Sequence, residues 1–161
     1  MADKVSLIKL LGKEKFERIE RIFRKHFQLG LETGNIQGKE IKQMCSADCR
    51  PTFCRIVQSS TAGRSRCNKE RRRSLEIAIE TGQSYISLCH AGVVLVCVPI
   101  MDKDKALGGI FFGKCLWEPV TQILINDVEK RLNGIRVNRK KMTAAVCELP
   151  FIQGRKIYEA A

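Results

Sequence analysis

The chain is 161 residues long, enough for one domain with a substantial core. With 44% apolar and 29% charged residues it has the composition of a globular protein, and its longest apolar run, AGVVLVCVPIM at 91–101, is shorter than the roughly 20 residues a bilayer span needs. The net charge of +12 is spread evenly, +4 in each of residues 1–44, 45–90 and 91–161, which argues against a basic tail built for nucleic acid and leaves a weak attraction for polyanions.

The N-terminus, MADKVSLIKLLGKEK, mixes lysines with apolar residues and has no small-residue cleavage site, so no signal peptide and a cytoplasmic location are expected. There the eight cysteines are expected as free thiols or metal ligands rather than disulfides. In EKFERIERIFRKHFQ the residues Phe16, Ile19, Phe23 and Phe27 recur at helical spacing, with Ile22 beside them. This predicts an amphipathic helix over about 14–28, ended by Gly30, with His26 near its apolar face as a core-edge histidine. LGLETGNIQGKEIKQM reads as a hairpin turning at Gly38-Lys39. Pro51 suits a first helical turn, so PTFCRIVQSS is a short helix, STAGRS a loop, and 66–81 a second helix burying Leu75, Ala78 and Ile79. YISLCH, VVLVCVPIM and LGGIFFGKCLW are three strands, with MDKDKA a polar turn between the last two. A helix follows from Pro119 to Gly134, then NRKKMTAAVCEL as a last helix, then the weakly patterned tail FIQGRKIYEAA. The order predicts one α+β domain over 1–161: a core at 29–117 with a five-stranded antiparallel sheet, helices on both faces, and C-terminal helices at about 119–148.

The cysteines are spaced Cys45-x3-Cys49-x4-Cys54-x12-Cys67-x21-Cys89-His90, which is neither a zinc-ribbon nor a ferredoxin spacing. Cys54, Cys67 and Cys89 fall at a helix start, the next helix start and a strand end, which meet at one edge of a small domain. Helix amides and Arg55, Arg64 and Arg66 would favour the thiolates. A closed site needs a fourth ligand, from Cys49, or from Cys45 or His90. All-sulfur ligation suits zinc or an iron-sulfur cluster, and thiolates with His90 suit zinc. The competing readings are buried or pocket-lining thiols and, behind these, a catalytic or redox thiol. Cys97, Cys115 and Cys147 are expected in the core. Cys89 and His90 cannot act as nucleophile and base on a strand, where neighbours face opposite ways, unless the strand has already ended. The run RSRCNKERRR is read as the solvated face of its helix.

At FCRIVQSSTAGRSRC, TGQSYISLCHAG, VPI and LGGIFFGKCL the sequence resembles the PocR-type sensory domain, over about residues 6–150. The residues that carry the resemblance are Phe53-Cys54, Cys67, Cys89-His90-Ala91-Gly92, Pro99-Ile100, Gly108 and Gly113. The chain departs from it at Gly113-Lys114, where the family tends to have Gly-Gln. The resemblance implies a PAS/GAF-like fold and a non-enzymatic sensor of small organic molecules in prokaryotic signal transduction or transcription control. With no output module in the sequence, it implies action through a regulatory partner protein, with a homodimer as a further option. Phe53, Tyr85, His90, Phe112 and Trp117 are the candidate ligand contacts between sheet and helices. The alternative is a cysteine-based redox or metal-dependent protein of a small-molecule pathway. A nucleic-acid regulator would rest on charge alone.

Overall fold

The computed structural model describes the backbone of residues 2–45 and 50–161, and side chains from residue 7 onward within those ranges. The sheet forms because its strands alternate between two apolar faces. In β4 (Val94–Asp102), Val94, Val96 and Val98 face one side, and Leu95 and Cys97 the other. In β5 (Lys105–Gly113), Phe112 joins the first set and Phe111 the second. With β1 (Glu32–Asn35), β2 (Glu40–Cys45) and β3 (Tyr85–Leu88) they make a five-stranded antiparallel sheet of order β2-β1-β5-β4-β3. Both faces are covered, as the unbroken apolar runs of β4 and β5 predict.

One face is packed by α1 (Ala2–Leu11), α2 (Lys13–Phe27) and α7 (Gly154–Ala160), through Leu7, Phe16 and Ile157 against Val96 and Phe112. The other is packed by α4 (Thr61–Thr81), through Leu75 and Ala78 against Leu95, Cys97 and Phe111. A third cluster joins α3 (Thr52–Ser59), α5 (Gln122–Arg131) and α6 (Arg139–Cys147) beyond the end of the sheet, around Phe53, Val128 and Met142. Among the described residues no helix is long and apolar enough to cross a membrane.

Several expectations are corrected. The N-terminal segment is two helices broken at Gly12, whose φ is +67°. Ile19 and Ile22 are exposed, and Glu20, paired with Arg24, takes a buried position on that helix instead. His26 is exposed, edge-on to Phe27. STAGRS is not a loop. The Ser60 hydroxyl accepts from the Gly63 amide at 3.0 Å and starts α4 at Thr61, five residues earlier than Arg66. Gly63 permits this, because a Cβ there would lie 1.9 Å from the Val57 carbonyl oxygen. Thr121, not Pro119, caps α5. Cys147 is exposed, and the tail is a helix anchored by Ile157. The basic run is solvated except at Arg71, which is buried.

α4 lies close to the sheet because its floor is glycine. A Cβ on Gly109 would come within 2.8 Å of Leu75 Cδ1, and one on Gly34 within 2.7 Å of the Phe111 ring. Gly38, with φ +71°, holds the β1–β2 turn against α4, where a Cβ would sit 2.7 Å from the Arg72 amide nitrogen. Gly38→Ala is therefore expected to cost about 2–4 kcal/mol, from left-handed strain plus a clash with backbone. Gly82→Ala, at φ +66° but with nothing within 4 Å, should cost only about 1 kcal/mol. Urea unfolding of the two variants checks the difference.

Candidate functional site

The site lies on the α4 face, where the ends of β3 and β4 meet α3 and α4. Pro51 caps α3 in an extended conformation and places Phe53 and Cys54 in the first turn. Phe53 goes into the helical cluster, whereas Cys54 lines a cavity of about 50 Å³. On α4, Cys67, Glu70 and Arg71 stand at i, i+3 and i+4 and line the same cavity. Cys89 follows the last residue of β3 and begins a tight turn. Its amide donates to the Val93 carbonyl at 2.8 Å, and the Gly92 amide donates back to the Cys89 carbonyl at 2.9 Å. Gly92, at φ +80°, makes that turn possible. Cys89, Val93, Val94, Leu95, Gln58 and Lys114 complete the wall.

The three cysteines singled out by sequence thus share one cavity, 35 residues apart along the chain from first to last. Cys67 stands in the second turn of α4 rather than at its start, and Arg64 and Arg66 are turned to other partners. Arg64 donates to the Gln58 carbonyl, and Arg66 to the carbonyls of Arg131 and Asn133. The expected lowering of the thiol pKa values is accordingly reversed. Burial pushes Cys54 up to about 12 and Cys67 up to about 11, and burial also raises Cys89. These thiols are protonated at neutral pH.

His90 lies past the end of β3, so it is free to turn, and it meets Cys67 rather than Cys89. Its Nε2 is 3.2 Å from the Cys67 Sγ, while its Nδ1 is buried with no hydrogen-bond partner. Burial, helped by Arg66, lowers the pKa of His90, and the pair is a neutral thiol beside a neutral imidazole. Among the described residues no group of three or more His, Cys, Asp or Glu side chains is placed to hold a metal ion. Cys49 lies outside the described residues. Cys45 lines a different groove, with Lys13, Phe16 and Glu20.

The other candidate contacts are dispersed. Phe53 is in the helical cluster, Phe112 on the opposite sheet face against Phe23, and Tyr85 at the edge of the α4-face core. Trp117 is 39% exposed. None of these four lines the thiol cavity. Sequence reading passed over the polar members of the site, Gln58, Glu70, Arg71 and Lys114. The signal that could have found one of them is the i, i+4 spacing of Cys67 and Arg71.

Behind the cavity lies Glu32, fully buried in β1. It is paired with Arg71, with Lys114, and with Arg50 at 3.2 Å, and Arg50 also pairs with Glu40. Burial by itself would raise the Glu32 pKa. Lys114, Arg71 and Arg50 outweigh it and hold the carboxyl at about 2, below its ordinary 4.5. Arg71 also donates through Nε to the Gly38 carbonyl at 3.1 Å and lies 4.2 Å over the Phe111 ring. Its Nη2 is buried without a hydrogen-bond partner. Lys114 follows Gly113 in a left-handed conformation, φ +53°, just where β5 ends.

A family model described as "Sensory domain found in PocR" matches residues 9–161. No curated protein and no solved structure matches the chain.

The Glu32 cluster sets an acid limit. Because the folded-state pKa lies below the unfolded one, the ionised carboxylate stabilises the fold above about pH 4.5, and that contribution is lost as pH falls towards about 2. It should amount to roughly 3 kcal/mol. Urea unfolding between pH 6 and pH 2.5 should show the loss, and Glu32→Gln should lower the stability at pH 6 and flatten the profile.

Proposed function

The chain belongs to the family of sensory domains found in PocR, and from that premise we propose that its thiol-lined cavity is the sensing site for a small organic molecule. The observation that carries the proposal is the convergence of Cys54, Cys67 and Cys89 with Gln58, Arg71 and Lys114 around one small cavity. The cavity has the mixture expected of a ligand site, mostly apolar walls with a few convergent polar groups. The protonated thiols are poor nucleophiles, which favours binding over chemistry and a non-enzymatic role. Occupancy would act on α4, which lines the cavity with Cys67 and Arg71 and grips the β1–β2 hairpin with the same Arg71. A ligand that binds one arrangement of α4 better than another shifts the population that a regulatory partner reads.

A second reading, a zinc ion or iron-sulfur cluster at Cys54, Cys67 and Cys89, is favoured by the Cys67–His90 contact of 3.2 Å. That contact makes His90 a fourth-ligand candidate. Neutral imidazole is the ligating form, and metal binding would displace the thiol protons.

Two measurements separate the readings. A thermal-shift panel of diols, alcohols and small acids should contain a compound that raises the melting temperature with dose. Cys54→Met, which extends a longer side chain into the cavity, should abolish that shift. A panel in which nothing stabilises the protein would remove the support for small-molecule sensing. Anaerobically purified protein should, on the first reading, contain neither zinc nor iron. About one equivalent of metal or cluster, lost in Cys67→Ser, would establish the second.

A further inference from the structure

We propose that the cavity takes a short-chain monocarboxylate, with its carboxylate held by Arg71 and Lys114 and its alkyl tail against Val93, Leu95 and the thiols. The inference rests on the small-molecule sensing role above and names the ligand class. It begins from the division of the cavity wall. Val93, Leu95 and the three cysteines, protonated because they are buried, are apolar or nearly so. Arg71 and Lys114 both point towards Glu32, so the positive charge is gathered on the Glu32 side. A ligand matching that division has an apolar body and one anionic end. A volume of about 50 Å³ admits only a few heavy atoms, which limits the tail to a short alkyl chain.

Arg71 supplies the specific donor. Its Nε is used by the Gly38 carbonyl and its Nη1 by Glu32, but Nη2 is buried and unpartnered. Nη2 lies beside Gly34, outside the cavity lining. A buried charged donor without an acceptor is costly, and a carboxylate that draws the guanidinium towards the cavity relieves that cost with a charge-assisted bond. An alcohol or amide oxygen offers the acceptor without the charge. Glu70, half-buried, is the one acid among the described residues lining the cavity. Glu32 beyond the wall is already shared by Arg50, Arg71 and Lys114. A second carboxylate would draw Arg71 away from Glu32 and loosen its hold on the β1–β2 turn at Gly38, which carries the binding event to the sheet edge.

The test compares propanoate with its uncharged counterparts propanamide and 1-propanol, by calorimetry and thermal shift at pH 7. Total ionic strength is held constant with sodium chloride, so that a general anion effect on a chain of net charge +12 cancels. Propanoate is expected to bind at least about ten-fold more tightly than either counterpart. Lys114→Gln should weaken propanoate by about ten-fold or more and leave propanamide unchanged. Arg71→Lys, which keeps the charge and removes Nη2, should do the same, and circular dichroism would establish that each variant is folded. Propanamide or 1-propanol binding as tightly as propanoate would overturn the carboxylate assignment and leave the cavity as a sensing site. Propanoate binding that both folded variants retain would overturn it as well. If no compound of this trio or of the wider panel binds, the sensing role of the cavity falls with it.

Discussion

A single buried carboxylate holds this domain together at the point where its parts meet. Glu32 sits inside β1 with no solvent contact, a position that would drive an isolated acid to its neutral form. Three cations reverse that tendency, and each comes from a different part of the chain. Arg71 comes from α4, Lys114 from the residue after β5, and Arg50 from the segment leading into α3. The ion cluster therefore joins the inner strand β1 and the end of β5 to both helices that wall the cavity. Removing any one partner leaves the others buried with an imperfect match, a situation more costly than the net worth of the pair.

The same cluster explains the glycines. The Arg71 guanidinium lies over the Phe111 ring and next to Gly34, and a side chain at Gly34 would occupy the space of the Phe111 ring. Gly38 and Gly109 let the α4 backbone and Leu75 approach the sheet at the same depth. α4 is thus one rigid element with two tasks. Cys67, Glu70 and Arg71 face the cavity, while Leu75 and Ala78, one and two turns on, form the core with Leu95 and Cys97. A change at the cavity has a short mechanical route to the sheet, and it runs through Arg71.

The chemical character of the site follows from burial. Thiols raised to about 11 and 12 are neither nucleophiles nor ready oxidation targets, and a neutral imidazole beside Cys67 does not alter that. Such a wall discriminates by shape and by charge. This is the behaviour a ligand-sensing domain needs, since its output depends on a difference in affinity between two arrangements and on no chemical turnover.

The sequence by itself determined the α+β class, the five antiparallel strands and the gathering of Cys54, Cys67 and Cys89. The first two follow from unbroken apolar runs such as VVLVCVPIM punctuated by Gly, Asp and Lys, which specify strands locally. The third was expected from helix and strand ends meeting at one edge, together with the family resemblance, although Cys67 stands in the second turn of α4 rather than at its start. What lay beyond reach was set by partners distant in sequence. Glu32 reads as an ordinary strand acid and Arg71 as one more charge in RSRCNKERRR, and only packing reveals that they meet in the interior. The STAGRS segment looks like a loop, because its helical start depends on a hydroxyl cap and on the lack of a side chain at Gly63. The aromatics looked like a pocket wall, yet strand alternation sends Phe111 and Phe112 to opposite faces, and only the tertiary structure decides which face holds the cavity. Local periodicity is written in neighbouring residues, whereas a buried charge and its counter-ions become a site only when the fold removes the water between them.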